Sequence, residues 1–279
     1  MKTIKVLDRI TRVTPLGIRF YDAVSHVGVA EGLEVNAYPT LRPEHRIPSV
    51  ITPSGVFVFR GLPGLTSDEF GAGDNRYWKT IIPQEFWIKV KDLQRRFLPM
   101  LFDSIAPIQG FSQLSCFSPL SPPKGSPAIP LYSAPSRAVP GPVAVLRADL
   151  WDAQQNIPAS WAKVEVHAGG SMIAHGLADA DGRLTIMFSY PDLVDMASGS
   201  PPVAGLPLKQ QRWLLDLQIR YQRWNPVPAI PDLCAVLNQP LSGIWRSRGP
   251  DVPLGTVQLE FGKELILKSQ LRSELLVAT

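Results

Sequence analysis

Apolar residues recur at every second position in short runs along the first part of the chain. Val13 to Phe20, Leu33 to Tyr38, Val56 to Phe59 and Phe86 to Val90 are such runs, rich in β-branched and aromatic residues and bounded by Gly, Pro, Asp or Asn. In the fourth, Phe86, Ile88 and Val90 fall on one face and Trp87, Lys89 and Lys91 on the other. Alternation of this kind marks a strand, and one apolar face opposite a wetter one predicts an antiparallel sheet. The pattern returns in Val143 to Trp151, Lys163 to His167, Leu184 to Phe188, Trp213 to Tyr221 and Thr256 to Phe261. Gly169-Gly170 and Asp181-Gly182 read as tight turns beside these strands. Glu264 to Val277 is open: Leu265 and Leu267 alternate as in a strand, whereas Leu271, Leu275 and Leu276 suit a helix or a partner-binding tail.

Between the two sets of strands the composition changes. Asp103 to Pro142 holds nine prolines and eight serines. Proline-rich chain is semi-rigid and poor in internal hydrogen bonds, so 103–142 reads as an interdomain linker docked through Phe111, Phe117 and Tyr132. Ala197 to Leu208, with three prolines and two glycines, reads as a loop inside the second domain. The expected organisation is all-β: an antiparallel β-sandwich over 1–102, the linker, and a second sandwich with a C-terminal tail over 143–279. The halves also echo each other. Phe20-Tyr21-Asp22 closes a run before Glu34-Val35-Asn36-Ala37, and Leu150-Trp151-Asp152 closes one before Glu165-Val166-His167-Ala168. A tandem repeat is the expectation.

Two resemblances follow from these segments. LEVNAYP at 33–39 with SGVFVFRGLPG at 54–64, and KVEVHA at 163–168 with DADGRLTIMF at 179–188, resemble the transthyretin-like, carboxypeptidase-regulatory-like β-sandwich. That resemblance implies an accessory sandwich without the zinc ligands of the peptidase. GVFVFRGLPGL (55–65), FWIKVKDLQRRFLPMLF (86–102) and GLADADGRLTIMFSYP (176–191) resemble two-domain proteins of contractile injection systems, which are phage-tail-like particles. This second resemblance implies a structural component at the baseplate, contacting baseplate, sheath or tube subunits in several symmetric copies.

Composition narrows the alternatives. Proline is 28 of 279 residues, about twice the usual share, which excludes a helical bundle or coiled coil. Hydrophobic residues are 45%, which excludes a wholly disordered chain. Net charge is only +4 and the basic residues are scattered, unlike a nucleic-acid binder with cations and stacking rings on one element. Cys116 and Cys234 read as two lone thiols in a structural role, which fits a reducing compartment, although a bridge between them stays open. Asp8, Arg9 and Arg12 interrupt any apolar run near the N-terminus, and no apolar stretch reaches membrane-spanning length. The expected compartment is the cytoplasm, with any membrane association indirect.

No residue pattern carries catalysis. The four histidines, His26, His45, His167 and His175, lack zinc-helix spacing, although His167 and His175 are placed to meet across a hairpin. Asp179-Ala180-Asp181-Gly182 opens like a calcium loop, but the twelfth residue is Tyr190 and not a bidentate Glu, so it reads as a turn. There is no G-x-S-x-G, P-loop or dinucleotide fingerprint. No catalytic residue, metal or cofactor is assigned. Aromatic and Arg residues on outer faces favour protein contacts, and the interface candidates are Trp87, Arg95, Arg96, Phe97, Leu98, Trp224, Leu271 and Leu275. The expected role is subunit docking. The alternative use of the same aromatics is a carbohydrate- or surface-binding adhesion module.

Overall fold

The computed structural model describes residues 10–65, 68–70, 81–114, 116, 127–191 and 207–278. Their regular elements are almost entirely strands, with one short α-helix and one turn of 3₁₀-helix, so the chain is all-β as its alternation predicts. It divides into two compact units. The first comprises Met1–Asp22, His26–Gln94 and Pro99–Leu131, and the second Ala23–Ser25, Arg95–Leu98 and Tyr132–Thr279.

The first unit holds β1 (Ile10–Arg12), β2 (Leu16–Ile18), β3 (Phe20–Asp22), β4 (Leu33–Pro39), β5 (Ile47–Pro48), β6 (Val50–Ile51), β7 (Phe57–Phe59), β8 (Asp68–Phe70), β9 (Gln84–Asp92), β10 (Met100–Ala106) and β11 (Ile129–Leu131). Strands β10, β9, β4 and β5 form one antiparallel sheet, and β2, β7 and β6 another. The alternation of β9 places Phe86, Ile88 and Val90 inside, with Trp87 and Lys89 half-buried on the other face. Phe20 makes edge-on ring contacts with Phe57 and Phe102 at 5.3 and 6.4 Å, tying β3 to β7 and β10. Such contacts add about 0.5–1.5 kcal/mol each beyond the area they bury.

The proline- and serine-rich stretch is not one extended linker. Residues 103–106 continue β10, each registered against β9, so the expected boundary at 102 falls inside a strand. Ile129–Leu131 pair in parallel with β3 and belong to the first unit. Phe111 packs beneath the Arg19 guanidinium, 4.2 Å from its ring centre, and Tyr132 is buried. Residue 115 and residues 117–126, Phe117 among them, lie outside the described residues, as do 197–206 of the expected loop at 197–208.

The second unit holds β12 (Ala144–Asp152), β13 (Ile157–Pro158), β14 (Lys163–Ala168), β15 (Ser171–Leu177), β16 (Arg183–Phe188), β17 (Arg212–Arg220), α1 (Leu233–Leu237), β18 (Leu241–Ser247), β19 (Val252–Pro253), β20 (Val257–Glu260), β21 (Leu265–Leu267) and β22 (Leu275–Ala278). Eleven strands join one hydrogen-bonded network whose central path runs β13-β12-β22-β18-β17-β14-β15. Its core takes alternate residues: Ala144, Leu146, Ala148 and Leu150 from β12, Val164 and Val166 from β14, Leu215 and Ile219 from β17. Most pairs are antiparallel, but β12 pairs in parallel with both β21 and β22. The purely antiparallel sheets expected from sequence are therefore mixed, because the C-terminal strands return to run beside β12.

Neither cysteine is the lone thiol that the sequence suggests, since both are disulfide-bonded. The thiol argument for a reducing compartment falls with it, because disulfides persist in oxidising ones. A sulfhydryl assay on unreduced, denatured protein is expected to find no reactive thiol, with thiols appearing after reduction. Reactive thiols before reduction would contradict the bonding.

The turns resolve as read. Gly169 and Gly170 carry positive φ in the β14–β15 hairpin. Asp179 Oδ1 accepts from the N–H groups of Asp181 and Arg183, both at 2.9 Å. Gly182 has φ +78°, and a Cβ there would sit 2.5 Å from the Leu150 carbonyl oxygen. Gly170 has φ +80° but open space around it. Gly182→Ala is therefore expected to cost roughly 2–5 kcal/mol in urea denaturation, from backbone strain and overpacking together. Gly170→Ala bears only the conformational term, about 1–2 kcal/mol. Equal losses would show that the Leu150 contact does not matter.

Candidate docking surface

Charged groups in the second unit include some locked inside the sheet and others left over on a loop. Asp152, fully buried at the end of β12, accepts from Arg223 Nε at 2.6 Å, from Tyr221 Oη at 3.3 Å and from the N–H groups of Gln154 and Gln155. Burial pushes its carboxyl up, but Arg223 and the two backbone donors outweigh burial and hold it below the usual range. Glu165 on β14 sits 2.7 Å from Lys163, 3.4 Å from Arg220 and 3.9 Å from His167. Here too burial raises the carboxyl and the cations, Lys163 foremost, bring it down further. Across the hairpin, Glu165 registers with His175, whose Nε2 is 2.9 Å from Tyr132 Oη. His167 registers with Met172, so the two histidines do not form the pair that the hairpin allowed. No group of three or more His, Cys, Asp or Glu among the described residues is arranged to hold a metal.

His175 is pushed down to about 4, by burial first and by the Lys163 charge second, against a partial lift from Glu165. Between that value and the unfolded value of about 6.5 the unfolded chain binds a proton that the folded chain does not. Stability is therefore lost as pH falls from about 6.5 to 4, by roughly 3 kcal/mol at most. Urea midpoints across this window are expected to slope less in His175→Gln than in the parent. Matching slopes would show that His175 is not the group responsible.

The interface candidates separate sharply. Leu275 is 1% exposed, because β22 inserts between β12 and β18, so the expected free tail is a core strand. Phe97 and Leu98 are each 5% exposed, because 96–98 pairs with 132–134. Leu98 N–H donates to Tyr132 O, Ala134 N–H donates to Arg96 O, and Phe97 bridges to Ser133. The guanidinium groups of Arg96 and Arg137 lie over the Phe97 ring, 5.1 and 4.8 Å from its centre. Arg96 is half-buried there, and Arg95 is exposed with φ +57°. Trp87 is half-buried between its cross-strand neighbours Tyr38 and Asp103. Trp224 is half-buried, with its indole N–H buried and without a hydrogen-bond partner among the described residues. Another aromatic group, Tyr190 with Trp213 and Phe261 at 5.2 and 4.7 Å, has Tyr190 and Trp213 packed against the core.

Leu271, like Arg95, is a candidate that the structure leaves outside. It is 99% exposed and has φ +61°. Ser269 O accepts from Arg272 N–H, which makes Leu271 the third residue of a four-residue turn, a place for positive φ that glycine usually fills. A leucine in this conformation costs roughly 1–2 kcal/mol, and full exposure returns none of it through burial.

The register along β12 explains why this loop stands out. Ala148 pairs with Leu267 on β21 and Leu150 with Leu275 on β22, both in parallel. One residue of β12, Asp149, thus separates the two pairings, while on the partner side 268–274 separates them. Those residues are extruded from the sheet. Ser269 pins the base: its buried hydroxyl donates to Trp245 O at 2.5 Å and accepts from Leu276 N–H at 2.9 Å. Ser269 N–H donates to Glu274 O, and Gln270 N–H donates to Arg246 O at 2.6 Å.

The loop and β18 enclose a concavity of about 420 Å³, lined by Arg246, Lys268, Arg272, Ser269, Ser273, Gln270 and Leu271. It has three cations and no acid. Several other cations of this unit are matched: Arg147 with Glu264, Arg183 with Asp181, Arg212 and Lys263 with Glu260, Arg248 with Asp251. Arg246, Lys268 and Arg272 have no ion-pair partner among the described residues. Glu274, next along the chain, accepts from Ser273 Oγ, which with a lesser contribution from Arg272 holds its carboxyl below the usual range. Sequence reasoning named Leu271 but missed the cations, because 246 and 268–272 meet only through the β18–β22 pairing.

No family model matches the chain, and no curated protein does. Among solved structures it is similar to GBS52, the minor pilin of Streptococcus agalactiae, at 8% identity and a TM-score of 0.22, covering 95% of this chain and 96% of that one. It is also similar to two glutamate-to-alanine variants of the shaft pilin SpaA from Lactobacillus rhamnosus GG. Both are 7% identical over 96% of this chain and 98% of theirs, with TM-scores of 0.23 and 0.24. No helix among the described residues is long and apolar enough to cross a membrane.

Proposed function

We propose that the chain is a non-enzymatic structural subunit of a phage-tail-like contractile injection particle, docked at its baseplate in several symmetric copies. The sequence resemblance over 55–65, 86–102 and 176–191 supports the particle. Leu271 carries the docking: a strained, wholly exposed leucine on a loop pinned at its base. Such an outlier points to a role outside the chain's own core. The acids and bases that do converge, around Asp152 and Glu165, bond each other and brace strands. That arrangement suits assembly better than turnover. In a ring, individually weak contacts gain strength through effective concentration.

An affinity-tagged chain expressed in its own host tests this reading. It is expected to co-elute with sheath and tube proteins in a high-mass fraction, and Leu271→Asp is expected to reduce that share severalfold. Elution of the parent chain alone, at monomer mass, would overturn the assembly role.

A further inference from the structure

We infer that the concavity beside Leu271 receives an acidic linear segment of a partner subunit, its carboxylates meeting Arg246, Lys268 and Arg272 and an apolar side chain covering Leu271. This rests on the docking role proposed above and names the chemistry of what docks.

Three observations carry it. First, the lining is charged in one sense only, while several other cations of the same unit, Arg147, Arg212 and Arg248 among them, have acids of their own. A partner bringing carboxylates supplies what the chain withholds here. Second, Ser269 is fixed by two hydrogen bonds through its hydroxyl, and Gln270 and Ser269 by two more through the backbone. The cations on either side are thus mounted on an ordered frame, and less ordering is needed on binding. Third, the apolar element is a single leucine in a conformation that the chain adopts at a cost. One leucine makes an anchor for one side chain of a segment. It is too little apolar surface to hold a membrane, and no aromatic ring lines the concavity to stack a base.

The full-length chain is titrated by fluorescence anisotropy into a labelled peptide of repeating Glu-Glu-Leu. Saturable binding is expected, weakening as salt rises. The Gln-Gln-Leu peptide is expected to bind at least about tenfold more weakly. The double variant Lys268→Glu/Arg272→Glu is expected to lose binding. Arg42→Glu/Arg60→Glu, an equal change of charge at exposed positions of the other unit, is expected to stay within about twofold of the parent, as exposed rim charges do. Leu271→Gly is expected to melt higher, since glycine suits the positive φ, and yet to bind more weakly. That combination separates a docking role from a structural one.

Absence of binding by the parent overturns the inference, as does equal loss in both charge-reversal pairs. So does undiminished binding by Leu271→Gly. Tighter binding of a short oligothymidylate, or of vesicles of phosphatidylserine and phosphatidylcholine, also overturns it in favour of that class of ligand. If the peptide fails while the chain still elutes with sheath and tube proteins, this inference falls and the assembly role stands. If the peptide binds and the chain elutes alone, recognition of acidic segments by the concavity stands and the assembly role falls.

Discussion

Strand β12 is the constraint on which the second unit depends. On one side it pairs with β16 and then β13, and on the other with β21 and then β22. Its inward residues Ala144, Leu146, Ala148 and Leu150 are core, and Asp152 ends the strand with its carboxylate fully buried. A one-residue slip of such a strand would turn every one of these side chains to the wrong face. At roughly 25 cal/mol per Å² of apolar surface, a misplaced leucine alone costs about 2 kcal/mol. The register is thereby held by burial, and the parallel return of the C-terminal strands follows from it.

The buried ions serve that register more than they serve net stability. A buried pair recovers through attraction much of what desolvation removes, and seldom much more. Breaking one leaves an uncompensated charge, which is far worse. Asp152, held by Arg223 and Tyr221, therefore disfavours any arrangement that separates β12 from the segment after β17. Glu165, held by Lys163 and Arg220, does the same for β14 against β17. The halves of the chain share a smaller device. Asp22 and Asp152 are both buried at strand ends, each carbonyl accepts from the N–H four residues on, and that residue, His26 or Asn156, has φ near +57° or +56°.

What the sequence revealed, and what it hid, follows from the range of the interactions involved. Strands with one wet face were legible, since Phe86, Ile88 and Val90 alternate with Trp87, Lys89 and Lys91 whatever lies across from them. Turns were legible for the same local reason, as at Gly169-Gly170. Strand β22 was not, because it lies between two neighbours and all four of its residues are buried, so it has no period to read. Phe97 and Leu98 follow two arginines and look like a surface patch, but their burial comes from a pairing with 132–134 that no local pattern announces. The strand in 103–106 was masked by the prolines that follow it. The fold class was thus open to reading, whereas the cationic concavity was not, because its residues come together only through the pairing of β18 with β22.

Anchorage at both ends is what makes the 268–274 loop more than a tail. A free C-terminal segment could present a leucine and two cations, but would surrender its conformational freedom on every encounter. Here β21 and β22 are both fixed to β12, and the hydroxyl of Ser269 closes the neck. The ladder's stability is therefore available to hold a turn that the loop residues would not choose alone. Leucine at positive φ is tolerable in that position because the strands on either side determine where the chain must go. The same frame keeps Lys268 and Arg272 beside Arg246 despite their mutual repulsion, which solvent and salt moderate at an exposed site. Locally unfavourable backbone and unmatched charge, each supported by the core beneath, meet in this loop.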